Sequence, residues 1–221
     1  MSDTHEQEDQ MNQALHELVL AIDQEPTNWH HYYDLGTLLV QVKSYAQAEE
    51  LFMKALGMFD QDEEAKNALI YGLGNVYYAA EEFDKAIRQF QQIKDQNLQS
   101  DAYMMLAQSY MAQGNHKQAL VFALTAQAHR QQDAEANQLV ADNLLALGHN
   151  QEAADFYDRV LTVDPQNGKA NFDRGITAMV LGEPFEAYFK MAEQTDPQYF
   201  EAGQQRLAEI ERFLQAKDGR K

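Results

Sequence analysis

Cysteine is absent from this 221-residue sequence, and only 4 prolines occur in it. Without cysteine there are no disulfides and no thiolate metal sites, which fits a reducing compartment. Basic residues are scarce. Lys and Arg number 17 against 35 Asp and Glu, a formal net charge of −18. A surface of that sign repels phosphate backbones and anionic lipid, so neither nucleic acid nor a membrane is an expected partner. No apolar run is long enough to span a bilayer. The start, MSDTHEQEDQ, lacks the basic and apolar regions of a secretory signal. Nothing reads as a strand. These absences lead to the expectation of a cytoplasmic, all-α protein.

What is present is a repeat. Small residues recur at Gly36, Gly74, Ala107, Ala141 and Gly175, in steps of 38, 33, 34 and 34. Twelve residues after each stands an alanine: Ala48, Ala86, Ala119, Ala153 and Ala187. Around them apolar residues fall at helical spacing, as in Tyr32, Leu35, Leu39 and then Ala48, Leu51, Phe52, Ala55. Where two helices cross closely, a large side chain would hold the backbones apart. The small residues therefore mark crossings, and the further alanines Ala21, Ala55 and Ala126 make room for the next pair. Gly114-Asn115, Gly148-His149-Asn150 and Gly182-Glu183-Pro184 are turns between helices, with Pro184 suited to a first helical turn. Asp60, Asp133 and Asp164 stand where helix caps are expected.

This register resembles the tetratricopeptide repeat, a helix–turn–helix unit of about 34 residues. The first unit supplies Leu35-Gly36, Ala48 and Phe52; the second Leu73-Gly74, Tyr77, Ala86 and Phe90. The third has Leu106-Ala107, Tyr110 and Ala119, and the fourth Val140-Ala141, Ala153, Tyr157 and Pro165. The fifth has Gly175, Ala187 and Pro197, and Ala14, Leu18, Ala21 and Pro26 form a preceding half unit. The resemblance implies a right-handed superhelical solenoid of antiparallel helix pairs in a bacterial, cytosolic protein. Its expected bounds are a half repeat over 9–26, repeats over 29–62, 67–99, 100–133, 134–167 and 168–198, and a capping helix over 199–216. A disordered acidic start over 1–8 and a basic tail over 217–221 flank this single solenoid.

Particular positions depart from the pattern or invite other readings. Ile70–Phe83 contains Gly72-Leu73-Gly74, but a phosphate loop needs a strand before it. Gly74 is read instead as the packing glycine of its repeat, with Gly72 in the same helix. Four extra residues around Gln61–Glu64 are expected to lengthen the following helix, and the fifth repeat's second helix to be short. Arg174 occupies the slot of Leu35, Leu73, Leu106 and Val140, so it must reach water or pair with an acid, for which Asp142 is a candidate. The final helix carries one apolar stripe, Gly203, Leu207, Ile210 and Leu214, with Arg206 and Arg212 on its polar remainder, as an end cap requires.

No catalytic constellation emerges. The seven histidines form no HExxH pair, no serine lies in a nucleophile elbow, and no calcium-loop spacing occurs. No cofactor, metal site or enzymatic activity is expected. In proteins of the resembled kind, the first helices of successive repeats line a concave groove that takes a peptide or partner helix. The stripe of each first helix facing that groove holds Tyr33, Thr37 and Val40; Tyr71, Asn75 and Tyr78; Asp101, Met104, Gln108 and Met111; Glu135, Gln138 and Asp142; Lys169 and Phe172. Tyrosine and methionine suit varied apolar partners, and the acids in the middle suit Lys or Arg. The same residues equally suit contact between neighbouring helices. A carboxylate-holding clamp of basic residues is not expected, since no base enters this stripe before Lys169. The expected role is a non-catalytic adaptor, monomeric or weakly dimeric. The alternative is a self-associating homo-oligomeric scaffold.

Overall fold

The structure, a computed structural model, describes residues 2–218. Met1 of the expected disordered start and residues 219–221 of the expected tail lie outside the described residues. Among the described residues there are twelve α-helices and no strand. The half repeat gives α1 (Ser2–Gln24). The five repeats give α2 (Trp29–Gln41) and α3 (Tyr45–Met58), α4 (Glu63–Ala79) and α5 (Phe83–Phe90), α6 (Gln96–Ala112) and α7 (His116–His129), α8 (Ala134–Ala146) and α9 (Asn150–Val163), and α10 (Gly168–Leu181) and α11 (Glu186–Thr195). The last helix is α12 (Pro197–Asp218).

The chain divides into two compact units, Met1–Gln113 and Gly114–Lys221. In the first, each of α1 to α5 packs on the next, and α4 also touches α2 and α6. In the second, each of α7 to α11 packs on the next, and α10 also touches α8 and α12. Among the described residues α1, α3 and α5 make no such contact with one another, nor do α7, α9 and α11. First helices thus converge and second helices splay, so the first helices line the inner side of each unit.

Local chemistry starts and stops the helices. The side chains of Asn28, Asp62, Asp95, Asn115, Asp133 and Asn167 accept backbone N–H groups of the helices that follow them. Asp133 is a cap as expected, but Asp60 and Asp164 are not. Asp62 and Asn167 replace them, because a capping side chain must stand immediately before the helix to reach the N2 or N3 amide. The extra acidic residues lie at the start of α4, which has 17 residues against 13 in α2. The fifth repeat's α11 is short at 10 residues, and α5 is shorter still at 8.

Every turn from a first to a second helix passes through one left-handed residue: Lys43, Glu81, Gly114, Gly148 and Gly182, with φ of 60°, 59°, 71°, 80° and 75°. Each stands seven residues beyond its repeat's small residue. Three repeats place glycine there, while the first two strain an L side chain. Lys43→Gly and Glu81→Gly should each raise stability by about 0.5–1 kcal/mol. A raised urea midpoint at unchanged slope is the expected readout; a lowered midpoint would mean that the side chain stabilises the turn.

The core follows the repeat register through four repeats. Ala48, Ala86, Ala119 and Ala153 are fully buried, and the position four residues on holds Phe52, Phe90, Ala123 or Tyr157, also buried. In the fifth repeat the register slips by two. Phe189, not the residue at Phe52's spacing, packs on Gly175, and Ala187 is exposed. Phe189 stands 14 residues after Gly175, against 16 from Gly36 to Phe52 and from Gly74 to Phe90, so the alanine expected at Ala187 is not the crossing residue. Gly72 also differs from expectation. Gly36 and Gly74 face Phe52 and Phe90 of their own repeats, whereas Gly72 faces Phe52 of the preceding second helix.

Buried amides tie the loops to the helices. The Asn137 and Asn171 side chains donate to the carbonyls of Gln131 and Pro165, six residues earlier, and the Tyr32 hydroxyl does the same to Pro26. Asn67 accepts the N–H groups of Lys94 and Asp95 at the start of the next repeat. These bonds pair loop backbone groups with side chains of the helices.

Candidate functional site

In the first unit, α2, α4 and α6 bring their sequence-predicted residues to one inner face. Tyr33 sets its ring edge against Phe52 at 6.1 Å, Tyr71 against Phe90 at 5.6 Å, and Tyr78 against Phe83 at 5.6 Å. Each ring is half-buried on the core of the first two repeats, which fixes it while leaving part open. Thr37 is exposed; Val40, Asn75, Asp101, Gln108 and Met111 are half-buried. Met104 departs from expectation. It is 5% exposed and belongs to the core, with little surface for a partner. Burial pushes the Tyr33 hydroxyl up from its ordinary value, and the charges of Asp34 and Asp101 add to the effect. Lys66 is the sole Lys or Arg in these three helices, and it pairs with Glu63.

In the second unit, the inner side carries a polar network rather than an aromatic face. Asp142 accepts hydrogen bonds from Gln138 at 2.7 Å and the Tyr157 hydroxyl at 3.0 Å, and pairs with Lys169. Asp173, 3% exposed at its side chain, accepts from the Tyr199 hydroxyl at 2.9 Å and from Arg206 Nη1 at 2.8 Å. A cleft of about 370 Å³ opens between them. Burial raises the Asp173 carboxyl, as does the neighbouring charge of Asp142, against the pull of Lys169, Arg206 and the Tyr199 bond. Burial and the same two carboxylates hold Tyr157 and Tyr199 far above their ordinary values, so both hydroxyls remain donors. Two carboxylates and two cations compensate each other, and the network fastens α12 to α8, α9 and α10.

Sequence reasoning found Asp142, Gln138 and Lys169 of this network, and Glu135 is exposed nearby on α8. It missed Asp173, Tyr157, Tyr199 and Arg206. The available signal was a second charge, Asp173, beside Arg174 within the apolar run ANFDRGITAMVL. Phe172 is a correction: it is 1% exposed and sits in a core cluster with Ile176, Met179, Phe189 and Ala192, onto which Leu207, Ile210 and Leu214 of α12 pack. Arg174 does not pair with Asp142. It bonds Asp158 at 2.8 Å and Glu183 at 3.1 Å and lies over Tyr188, because its slot points toward the second helices rather than the inner face.

Among the described residues, no helix is long and apolar enough to cross a membrane, and no three His, Asp or Glu side chains are grouped to hold a metal ion. Family profiles of the tetratricopeptide repeat match residues 32–62, 77–142 and 141–200. No curated protein matches the sequence. Among solved structures, pilF of Pseudomonas aeruginosa is similar at a TM-score of 0.74 and 16% identity, over 92% of this chain and 93% of that one. YrrB, described as a TPR protein with an unusual peptide-binding site, is similar at 0.63 and 22% identity, over 82% and 93%. MamA is similar at 0.62 and 19%, over 77% and 92%. At these identities the likeness concerns the fold.

Proposed function

The chain belongs to the tetratricopeptide repeat family, and from that premise we propose that it is a non-catalytic cytoplasmic adaptor whose inner face of α2, α4 and α6 holds a segment of another protein. The observation that carries this is a face of fixed but partly open tyrosine rings beside Asp34 and Asp101. Rings already held by their own core lose little conformational freedom when a partner covers them. The face suits a segment with large apolar side chains and at least one Lys or Arg. That a similarly folded protein, YrrB, carries a peptide-binding site supports the reading.

Thr37→Lys and Asn75→Lys place positive charge on this face without touching the buried core. Affinity capture from native cytosol should recover a partner with the parent chain and lose it with the double variant, while each variant stays within about 0.5 kcal/mol in stability. A partner retained by the double variant would rule out the face. The second reading, self-association, draws on Phe213, 68% exposed on the terminal helix. Light scattering over a range of concentrations tests it: a mass that doubles with concentration, abolished by Phe213→Ser, favours the scaffold.

A further inference from the structure

We propose that the inner face of the first unit ends in a pocket for an arginine side chain of the bound segment, walled by Trp29; this rests on the reading that α2, α4 and α6 hold a peptide. The starts of these three helices surround a cavity of about 460 Å³ lined by Trp29, Glu63, Glu64, Asn67, Asp95 and Leu98, among others. It continues the tyrosine face by one helical turn. Trp29 stands four residues before Tyr33, Ala68 three before Tyr71, and Leu98 three before Asp101.

The pocket is built rather than merely acidic. His30 stacks on the Trp29 ring at 3.7 Å and Tyr33 meets it edge-on at 6.5 Å, so the indole is held in place but stays half-buried. Asn67, 7% exposed, donates to the Glu63 carbonyl and accepts from the Lys94 and Asp95 amides, fixing α4 against the start of α6. Acidic residues at helix starts are expected from the helix dipole and from capping, and Asp95 does cap α6 with one oxygen. Neither reason requires a half-open indole in the same cavity. Glu64 is exposed, and Glu63, also exposed, stands 3.8 Å from Lys66.

An indole wall with carboxylates at its margin matches a guanidinium. That group is flat and weakly hydrated, stacks on the ring face, and directs its donors in plane toward carboxylates. A lysine would satisfy the charge but not the stacking. Charge around the cavity points the same way. The first 113 residues carry 19 Asp and Glu against 6 Lys and Arg, so a cationic segment is drawn in and an anionic one repelled.

The test uses the full chain and random heptapeptides displayed on phage. Selected binders should share one arginine flanked by apolar residues. A synthetic selected peptide and its Arg→Lys and Arg→Ala twins are then titrated against Trp29 fluorescence, since Trp29 is the chain's single tryptophan. Arg→Ala should weaken binding about tenfold, with Arg→Lys between. Glu64→Gln should weaken the arginine peptide about three- to tenfold and leave the alanine twin unchanged. Peptides that are lost on Thr37→Lys but show no arginine preference and no response to Glu64→Gln would overturn the pocket while leaving the face reading intact. Peptides indifferent to both variants, or no selectable peptide, would overturn both.

Discussion

Phe52→Ala should destabilise the first unit by about 3–5 kcal/mol. The ring is fully buried between α2 and α4, where Gly36 and Gly72 each present bare backbone to it. A Cβ at Gly72 would stand 2.5 Å from the ring's Cζ, and one at Gly36 would also fall inside the ring's van der Waals surface. Removing the ring therefore leaves a cavity that neither helix can fill with a side chain. The converse substitutions overpack the same place: Gly36→Ala or Gly72→Ala should each cost about 1–3 kcal/mol. The two effects must be coupled. In a Phe52→Leu background the glycine substitutions should cost less than in the parent, with an interaction energy of about 1 kcal/mol. Urea denaturation of the set measures this; strict additivity would mean that the glycines do not serve the ring.

Arg206→Met should cost about 2–3 kcal/mol at neutral pH. Breaking a buried ion pair costs about 3–5 kcal/mol, and the lower figure reflects that Arg206 is 44% exposed while Asp173 is 3% exposed. The groups facing Asp173 are Asp142, Lys169, Tyr157, Tyr199 and Arg206. Its carboxyl is raised above the ordinary 3.8 chiefly by burial. In the window between 3.8 and that raised value, the folded chain binds more protons than the unfolded chain. This group's contribution to stability therefore falls as pH rises through the window and is constant above it. Without Arg206 the carboxyl is raised further, so the deficit of Arg206→Met should shrink as pH is lowered toward 4 and grow toward neutrality. Asp173→Asn removes the ionisable group, so Arg206→Met in that background should show no such pH dependence. Thermal melts from pH 4 to 7 read both slopes; a deficit independent of pH would mean that Arg206 acts through packing alone.

The fold was legible where one steric demand repeats. Gly36 and Gly74 with Ala48 and Ala86 mark helix crossings because a crossing excludes large side chains whatever surrounds it. The slip at Ala187 was hidden because an alanine stands at the expected spacing by coincidence, while the ring that packs on Gly175 comes two residues earlier than in the first two repeats. Gly72 was hidden because its neighbour, Phe52, belongs to the preceding repeat, and the register within one repeat says nothing about it. Tyr33, Tyr71 and Tyr78, read from helical spacing as lying beside the buried stripe, are half-buried. Met104 and Phe172 were misplaced because helical spacing gives direction and not depth: both are buried. The Asp142–Asp173 network joins residues up to 33 positions apart. Its cation Arg206 sits on a helix face that composition alone marks as solvent-exposed.

The account turns on which side of the first unit meets a partner. Backbone amide NMR of the full chain, titrated with a peptide selected on it, measures this directly. The predicted result is shifts concentrated in α2, α4 and α6, around Trp29, Tyr33, Tyr71, Asn75 and Asp101, with α1 and α3 unmoved. Shifts confined to α1, α3 and α5 would contradict it.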